Sequence, residues 1–225
     1  QVYGMHNWPG MAVGEFAMRP GPMMASSDTV EIIVRGRGAH GALPHHGADP
    51  ITAGAAIVQS LQTIVSRNLD PIDTAVISIT QFHGGDAWNV IPEEVVLRGT
   101  VRAFREQTQV MIEKRIREIA QNIALAHGAQ AEVTYKRQYP ALANSAAETR
   151  FCAEVARELA GADRVHADFP PIMASEDFAF MLLAKPGCYV FTGNGTAEQH
   201  AGGCMLHNPG YDFNDEALPV GAAYW

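Results

Sequence analysis

Histidines in loops are the residues of this chain best suited to metal binding or proton transfer. His6 lies in GMHNWPG, His40 in GRGAHGALPHHGADP and His207 in MLHNPGYDFND, among glycines and prolines that interrupt regular structure. A neutral imidazole binds divalent ions of intermediate softness, and it also exchanges protons near neutral pH. The sequence has no HExxH, CxxC or Walker phosphate-binding motif, so no local motif decides between these roles.

His6 and His40 also have a simpler structural interpretation, and His207 has a rival ligand. A histidine at the end of a strand, as predicted for His6, commonly hydrogen-bonds a backbone group, and His40 can do the same within a turn. His45 and His46 are interpreted in this structural way, and no role is assigned to His83, His127, His166 or His200. A cysteine and a histidine three residues apart can ligate one metal, so Cys204 is an alternative or additional ligand beside His207.

The middle of the chain has the pattern of a small α+β layer. Strands are predicted over 28–35, 74–82, 93–104 and 129–137, from β-branched residues or from alternation of polar and apolar residues. Helices with apolar residues every three or four positions are predicted between them, one capped by Asp49 and one ended by Gly128. The order strand, helix, strand, strand, helix, strand is that of a ferredoxin-like fold.

The two ends of the chain are predicted to share one α/β domain. The tail contains a predicted capping box at Ser145 and Glu148, a short helix from Ser175, a strand over 188–193 and a helix start at Asp215. The tail is too small to close its own core, and the opening segment has none. We therefore expect residues 1–24 and 139–225 to form an α/β domain into which residues 25–138 are inserted.

Composition narrows the class of protein. The 225 residues include 16 Lys+Arg and 24 Asp+Glu, for a net charge of -8, and no basic stripe suited to nucleic acid. No apolar run is long enough to cross a bilayer, and three cysteines at unrelated spacings suit a reducing cytoplasm. The chain opens without Met and stops at Trp225 inside a predicted helix, so it is expected to be part of a longer protein.

Five segments together carry a resemblance to a known family. They are GMHNWPG, GRGAHGALPHHGADPI, WNVIPEEVVLRGTVRAF, SEDFAFM and LHNPGYDFNDEALPVGA. In this order they resemble the later part of the metal-dependent amidohydrolases that include hippurate hydrolase, N-acyl-amino-acid deacylases and auxin-conjugate hydrolases. The resemblance implies an α/β catalytic domain with two divalent metal ions (Zn, Mn, Ni or Co) and an inserted ferredoxin-like domain that makes a homodimer. It also implies hydrolysis of the amide bond of N-acyl amino acids by metal-activated water.

The same resemblance implies roles for individual residues. His6 and His207 match metal ligands, and His207 is preferred to Cys204 because Cys204 lies outside the matched segment. His40 matches a histidine that reaches the active site of the partner subunit and donates a hydrogen bond to the developing oxyanion.

Three further residues are implied to contact the substrate. Asn89 and Arg102 match residues that bind its carboxylate or amide, and Glu176 lies in a motif that lines the catalytic cleft. Arg102 is almost as well interpreted as a solvent-facing strand residue beside Thr100. For Glu176 the default interpretation is capping, as an acidic residue at a helix N-terminus.

The family's remaining ligands, a Cys, a His and a Glu, and its general-base Glu have no counterpart in this sequence. The chain alone is therefore expected to be inactive. Two alternatives remain open: a metallo-exopeptidase or dipeptidase of related architecture, and a catalytically inert dimerisation or binding module.

Overall fold

The computed structural model of the chain describes residues 1–197 and 204–225. The strands of the described residues are β1 (Val2–Trp8), β2 (Phe16–Ala17), β3 (Gly21–Met24), β4 (Ser27–Arg35), β5 (Ala39–His40), β6 (Ala75–His83), β7 (Val90–Ile91), β8 (Glu94–Ala103), β9 (Gln130–Tyr139), β10 (Leu142–Asn144), β11 (Val165–His166) and β12 (Gly187–Gly193). The helices are α1 (Pro50–Thr63), α2 (Glu106–Ala126), α3 (Ala146–Ala160), α4 (Phe178–Ala184) and α5 (Ala217–Tyr224). None of the described helices is both long enough and apolar enough to cross a membrane.

The chain divides into two compact units. Unit 1 comprises Gln1–Met24, Leu142–Ile172 and the described part of Glu176–Trp225. Unit 2 comprises Ala25–Ala141 and Met173–Ser175. The first and last residues of the chain thus lie in the same unit.

Unit 1 is built on a sheet with the strand order β1-β12-β2-β11. β1 and β12 run parallel in a register from Val2 opposite Gly187 to Trp8 opposite Gly193. β12 is buried along its whole length, because Phe191 packs into one apolar cluster and Val190 into another. Successive side chains point to opposite faces, so both faces of this strand are covered, as is usual for parallel sheets. The carboxyl ends of β1 and β12 meet at one edge, where α/β proteins commonly bind ligands.

A buried asparagine holds a second part of unit 1 together. Asn144 ends β10, and its amide nitrogen donates to the carbonyl oxygens of Arg19 (3.1 Å) and Tyr189 (3.0 Å). Its amide oxygen accepts from the backbone N–H of Tyr189 at 2.8 Å. Asn144 therefore satisfies backbone groups that secondary structure leaves unpaired.

Unit 2 is an antiparallel sheet covered on one face by α1 and α2. The strand order is β6-β8-β4-β9, and the chain order is strand, helix, strand, strand, helix, strand. Its core is a cluster of aliphatic residues that includes Val30, Ile32, Val34, Ile57, Leu61, Val95, Leu97, Ile112 and Ile116. The opposite face carries ion pairs between Arg98 and Glu31 (2.6 Å) and between Arg35 and Glu132 (2.7 Å). A separate ribbon pairs β5 with β7.

The helix boundaries confirm some of the sequence predictions. The carboxylate of Asp49 caps α1 by accepting from the backbone N–H of Ile51 and Thr52, and Gly128 follows the end of α2 with φ +70°. The spacing of apolar residues in this helix also predicts that Ile51 and Ile57 share its buried face; Ile57 is buried, but Ile51 is exposed.

Other local predictions are wrong. The predicted capping box does not form, because the hydroxyl of Ser145 accepts from the backbone N–H of Gly187 (3.2 Å) and makes no cap bond. α4 begins at Phe178 and α5 at Ala217, three and two residues later than predicted.

His200, to which the sequence analysis assigns no role, lies outside the described residues.

Candidate metal and catalytic site

His6 lies near the carboxyl end of β1 with one ring nitrogen already engaged. Its Nδ1 is 2.7 Å from the carbonyl oxygen of Asn7, and since a carbonyl only accepts, Nδ1 carries the proton. The backbone bond expected of a structural histidine is therefore present. It also sets the tautomer in which Nε2 bears the lone pair that binds a metal. An open groove of about 400 Å³, lined by His6, Asn7, Phe213 and Trp225 among others, makes this ring accessible.

The residues after His207 are tied to the same end of β1. Asn7 donates a hydrogen bond to the hydroxyl of Tyr211, and Tyr211 follows His207 by four residues. The backbone N–H of Tyr211 donates to the carbonyl of Asn208 at 2.9 Å, which closes a turn directly after His207. The structure therefore brings the segment that carries His207 to the strand that carries His6.

His207 has a strained backbone. It is the one non-glycine residue with positive φ (64°) within the described ranges 1–197 and 204–225. This left-handed conformation costs a residue with a Cβ roughly 1–2 kcal/mol, and such outliers concentrate at functional sites. The strain supports a functional interpretation of His207.

The strain predicts an unusual order of stability among variants of His207. We expect His207→Gly to be more stable than His207→Ala by about 1 kcal/mol, because glycine adopts positive φ without steric cost. Urea unfolding of the two variants measures this difference. The same pair at His166, a strand residue with negative φ, should show the opposite order. Equal stabilities at position 207 would mean that the conformation is unstrained.

Glu176 is held near His6 through Tyr189. The Tyr189 hydroxyl donates to Glu176 Oε2 at 2.6 Å, and the Tyr189 and His6 rings lie 6.4 Å apart. Burial raises the pKa of Glu176, but its hydrogen bonds with Tyr189, Asp177 and the backbone of Phe178 leave that pKa below its ordinary value. Glu176 also accepts from the backbone N–H groups of Asp177 (3.0 Å) and Phe178 (3.5 Å). The predicted capping role of Glu176 is thus present, beside a carboxylate that stays ionised.

His40 and Asn89 lie together in unit 2. His40 pairs with Val90 across the ribbon, and the backbone N–H of Gly41 donates to the carbonyl of Asn89 at 2.7 Å. The backbone N–H of Ala42 donates to His40 Nδ1 at 3.0 Å. The neutral ring therefore carries its proton on Nε2, and since His40 is exposed, this N–H is available as a donor.

Arg102 lies elsewhere in unit 2, on the polar face of the sheet. Its Nη1 donates to the hydroxyl of Thr100 at 2.6 Å and to the carbonyl of Val101 at 3.1 Å. These contacts fit the strand-residue interpretation, and its substrate-binding role stays a prediction.

The described residues contain no group of three His, Cys, Asp or Glu side chains close enough to hold a metal ion. His6 and Glu176 lie together in unit 1, and His40 and Asn89 in unit 2. The sequence analysis did not identify Asn7, Asn194 and Tyr211 as residues of the candidate site. Asn7 and Tyr211 lie within two of the segments that carry the family resemblance. The third, Asn194, directly follows a buried strand of a partly parallel sheet, which is a usual place for site residues.

Comparisons with known proteins agree over the whole chain. A family model described as peptidase family M20/M25/M40 matches residues 1–225. The N-acetylcysteine deacetylase of Bacillus subtilis (strain 168) is 37% identical over 225 residues, which are 100% of this chain and 57% of that protein. The hippurate hydrolase of Campylobacter jejuni is 38% identical over 224 residues, again 100% of this chain and 57% of that protein.

A solved structure shows the same fold. The crystal structure of a dinuclear metal-binding peptidase of the M20 family from Bacillus subtilis superposes with a TM-score of 0.78 at 32% identity. The match covers 99% of this chain and 54% of that one. The chain thus spans about half the length of the relatives that it matches.

Proposed function

The chain belongs to peptidase family M20/M25/M40, and we propose that it is part of a metal-dependent hydrolase that cleaves the amide bond of N-acyl amino acids. Hippurate hydrolase and N-acetylcysteine deacetylase, both matched over the whole chain, act on substrates of this kind according to their names. The observation that carries the proposal is His6. His6 lies near the carboxyl end of a parallel strand with Nδ1–H bonded to backbone, which supports the proposal because it leaves on Nε2 the lone pair that a metal ion would bind.

The residues present fit a divalent metal. His6 and His207 would hold it through neutral imidazoles, which suit Zn, Mn, Ni or Co. When bound, two such ions supply Lewis-acid activation of the amide carbonyl and of the attacking water. Within this chain, Glu176 adds negative charge beside His6, and the carbonyl of Asn7 fixes the orientation of that ring.

We assign the other roles to unit 2. Its strand order matches an inserted ferredoxin-like domain, and we propose that this domain makes a homodimer. His40 of one protomer would then donate its Nε2–H to the oxyanion that develops at the site of its partner. Asn89, which lies beside His40, and Arg102 would bind the carboxylate of the substrate.

Hydrolysis assays on the full-length protein test this function. We expect release of benzoate from hippurate and of acetate from N-acetyl amino acids, loss of both with a chelator, and recovery when Mn²⁺, Zn²⁺, Co²⁺ or Ni²⁺ is added. Unblocked dipeptides should be poorer substrates. Preferential cleavage of dipeptides would instead support an exopeptidase, and no metal-dependent turnover of either class would support the inert binding module.

The 225-residue chain alone is expected to hydrolyse no hippurate. Two imidazoles provide too few ligands for a dinuclear centre that keeps a position open for water. Chromatographic assay for benzoate over a long incubation with added metal checks this expectation. Turnover by the chain, removed by His6→Ala, would show that its own residues complete the site.

A further inference from the structure

Asn194 joins three parts of unit 1 at the edge of the sheet that carries His6. It directly follows β12 and is fully buried, with an exposed fraction of 0%. Its backbone N–H donates to the carbonyl oxygen of Trp8 at 3.0 Å, which ties the carboxyl ends of β1 and β12 together.

The side chain of Asn194 extends this tie to the segment after His207. Its Oδ1 accepts from Asn7 Nδ2 at 3.3 Å and from the backbone N–H of Asn214 at 3.1 Å. Its Nδ2 donates to the carbonyl oxygen of Asp212 at 3.1 Å. Both ends of this buried amide are therefore engaged, and two of these bonds go to backbone groups of residues 212–214.

The segment that Asn194 holds has little regular structure of its own. Between Met205 and Tyr211 it makes two turns, in which the backbone N–H of Asn208 donates to the carbonyl of Met205 (3.2 Å) and that of Tyr211 to the carbonyl of Asn208 (2.9 Å). His207 lies within the first of these turns with its strained φ of 64°, and such a conformation persists where surrounding contacts hold it. Asn194 and Asn7 anchor the far end of the segment.

We propose, on the basis of the metal-dependent function inferred above, that Asn194 is a positioning residue that holds residues 207–214 against β1 and so places His207 beside His6. Asn194 itself binds neither metal nor substrate. It acts by fixing the distance between two ligands that are far apart in sequence.

The test compares Asn194→Ala with Asn144→Ala in the 225-residue chain. Asn144 is also a buried asparagine of unit 1 that bonds backbone groups, but its side-chain hydrogen bonds go to Arg19, Met23 and Tyr189 and none goes to residues 207–214. Both variants should lower the thermal stability. Below both unfolding transitions and without metal, we expect only Asn194→Ala to speed hydrogen exchange of the Tyr211 and Asn214 amides, by about tenfold.

Binding of Zn²⁺ provides the second measurement. We expect the chain to bind Zn²⁺ weakly, His6→Ala and His207→Ala to abolish this binding, and Asn194→Ala to weaken it by about tenfold. Asn144→Ala should leave it unchanged. Asn194→Asp keeps the oxygen that accepts from the backbone N–H of Asn214 but loses the amide N–H that donates to the carbonyl of Asp212. The Zn²⁺ affinity of this variant should therefore lie between those of the wild type and Asn194→Ala.

The outcomes separate the two proposals. If hydrogen exchange of the Tyr211 and Asn214 amides is unchanged in Asn194→Ala, the positioning role is overturned, whatever the Zn²⁺ affinity of the variant. Faster exchange with an unchanged Zn²⁺ affinity overturns it as well. If the wild-type chain binds no Zn²⁺ through His6 and His207, the proposed metal pair fails in this chain, and the exchange data alone decide whether Asn194 holds the segment.

Discussion

Replacing His40 by alanine is expected to lower kcat for hippurate about 10²–10³-fold in the full-length protein, with little change in KM. The Ala42 amide occupies Nδ1 of His40, which leaves Nε2–H as the donor of the ring. A donor aimed at an oxyanion gains strength only as the charge develops, so its loss affects the transition state more than substrate binding. Steady-state kinetics at several pH values measures the effect. A rise in KM at constant kcat would instead place His40 in substrate binding.

If His40 acts in the active site of the partner subunit, two inactive variants, His40→Ala and His6→Ala, should restore activity when they form a mixed dimer. In a dimer of one His40→Ala and one His6→Ala subunit, the site with an intact His6 receives an intact His40 from its partner. Half of the dimers formed by random pairing are of this kind, and each has one working site out of two. Co-expressed variants should therefore recover about one quarter of the wild-type activity.

A matched control accompanies this complementation. Co-expression of His40→Ala with a chain that carries both His6→Ala and His40→Ala provides no intact pair and should recover nothing. Absence of rescue in the first pair, with dimers present, would show that His40 acts within its own subunit.

Structural features that depend on residues close together in sequence could be predicted, whereas those that depend on distant residues could not. The start of α1 depends on Asp49 and its neighbours at positions 51 and 52, and the end of α2 depends on Gly128, so local chemistry predicted both. Aliphatic periodicity likewise located the buried faces of these helices, as Ile57 and Ile112 show.

Predictions failed where a distant group competed with the local one. Ser145 had the sequence context of a capping box, but its hydroxyl accepts from Gly187, which β12 brings close. Glu148 accepts a hydrogen bond from the side chain of Gln1 instead of completing the capping box. Both residues thus have partners that are distant in sequence and that the spacing of Ser145 and Glu148 cannot reveal.

The candidate site was only partly predictable for the same reason. His6 and His207 could be selected from the family resemblance, since each stands in a recognised segment. The hydrogen bonds that tie β1 to β12 and to the segment after His207 join residues 187 and 204 positions apart, from Asn7 to Asn194 and to Tyr211. Which nitrogen of His6 or His40 carries the proton likewise depends on backbone geometry that has no sequence signal.

A buried carboxylate stabilises unit 2 by satisfying several donors at once. Asp28 is fully buried at the start of β4 and accepts two hydrogen bonds from Gln109 Nε2, at 2.8 and 2.9 Å. It accepts a third from the hydroxyl of Tyr135 at 2.6 Å. Burial raises the pKa of Tyr135, and the bond to Asp28 raises it further. The folded-state pKa thus exceeds the unfolded value of about 10, so this contribution is complete below pH 10 and is lost as the pH rises further.

Asp28→Ala is therefore expected to lower the free energy of unfolding at pH 7 by about 3–5 kcal/mol, because it leaves the buried groups of Gln109 and Tyr135 without an acceptor. Asp28→Asn keeps the shape and one acceptor oxygen, so it should cost less than half as much. Glu31→Ala is the matched control on the same strand, since its ion pair with Arg98 is solvent-accessible and should contribute less than about 1 kcal/mol. Urea unfolding of the chain measures all three. Equal losses of unfolding free energy for Asp28→Ala and Glu31→Ala would contradict this expectation. They would mean that water replaces the carboxylate as acceptor for Gln109 and Tyr135. The cost of burying the charge of Asp28 would then equal the contribution of its hydrogen bonds.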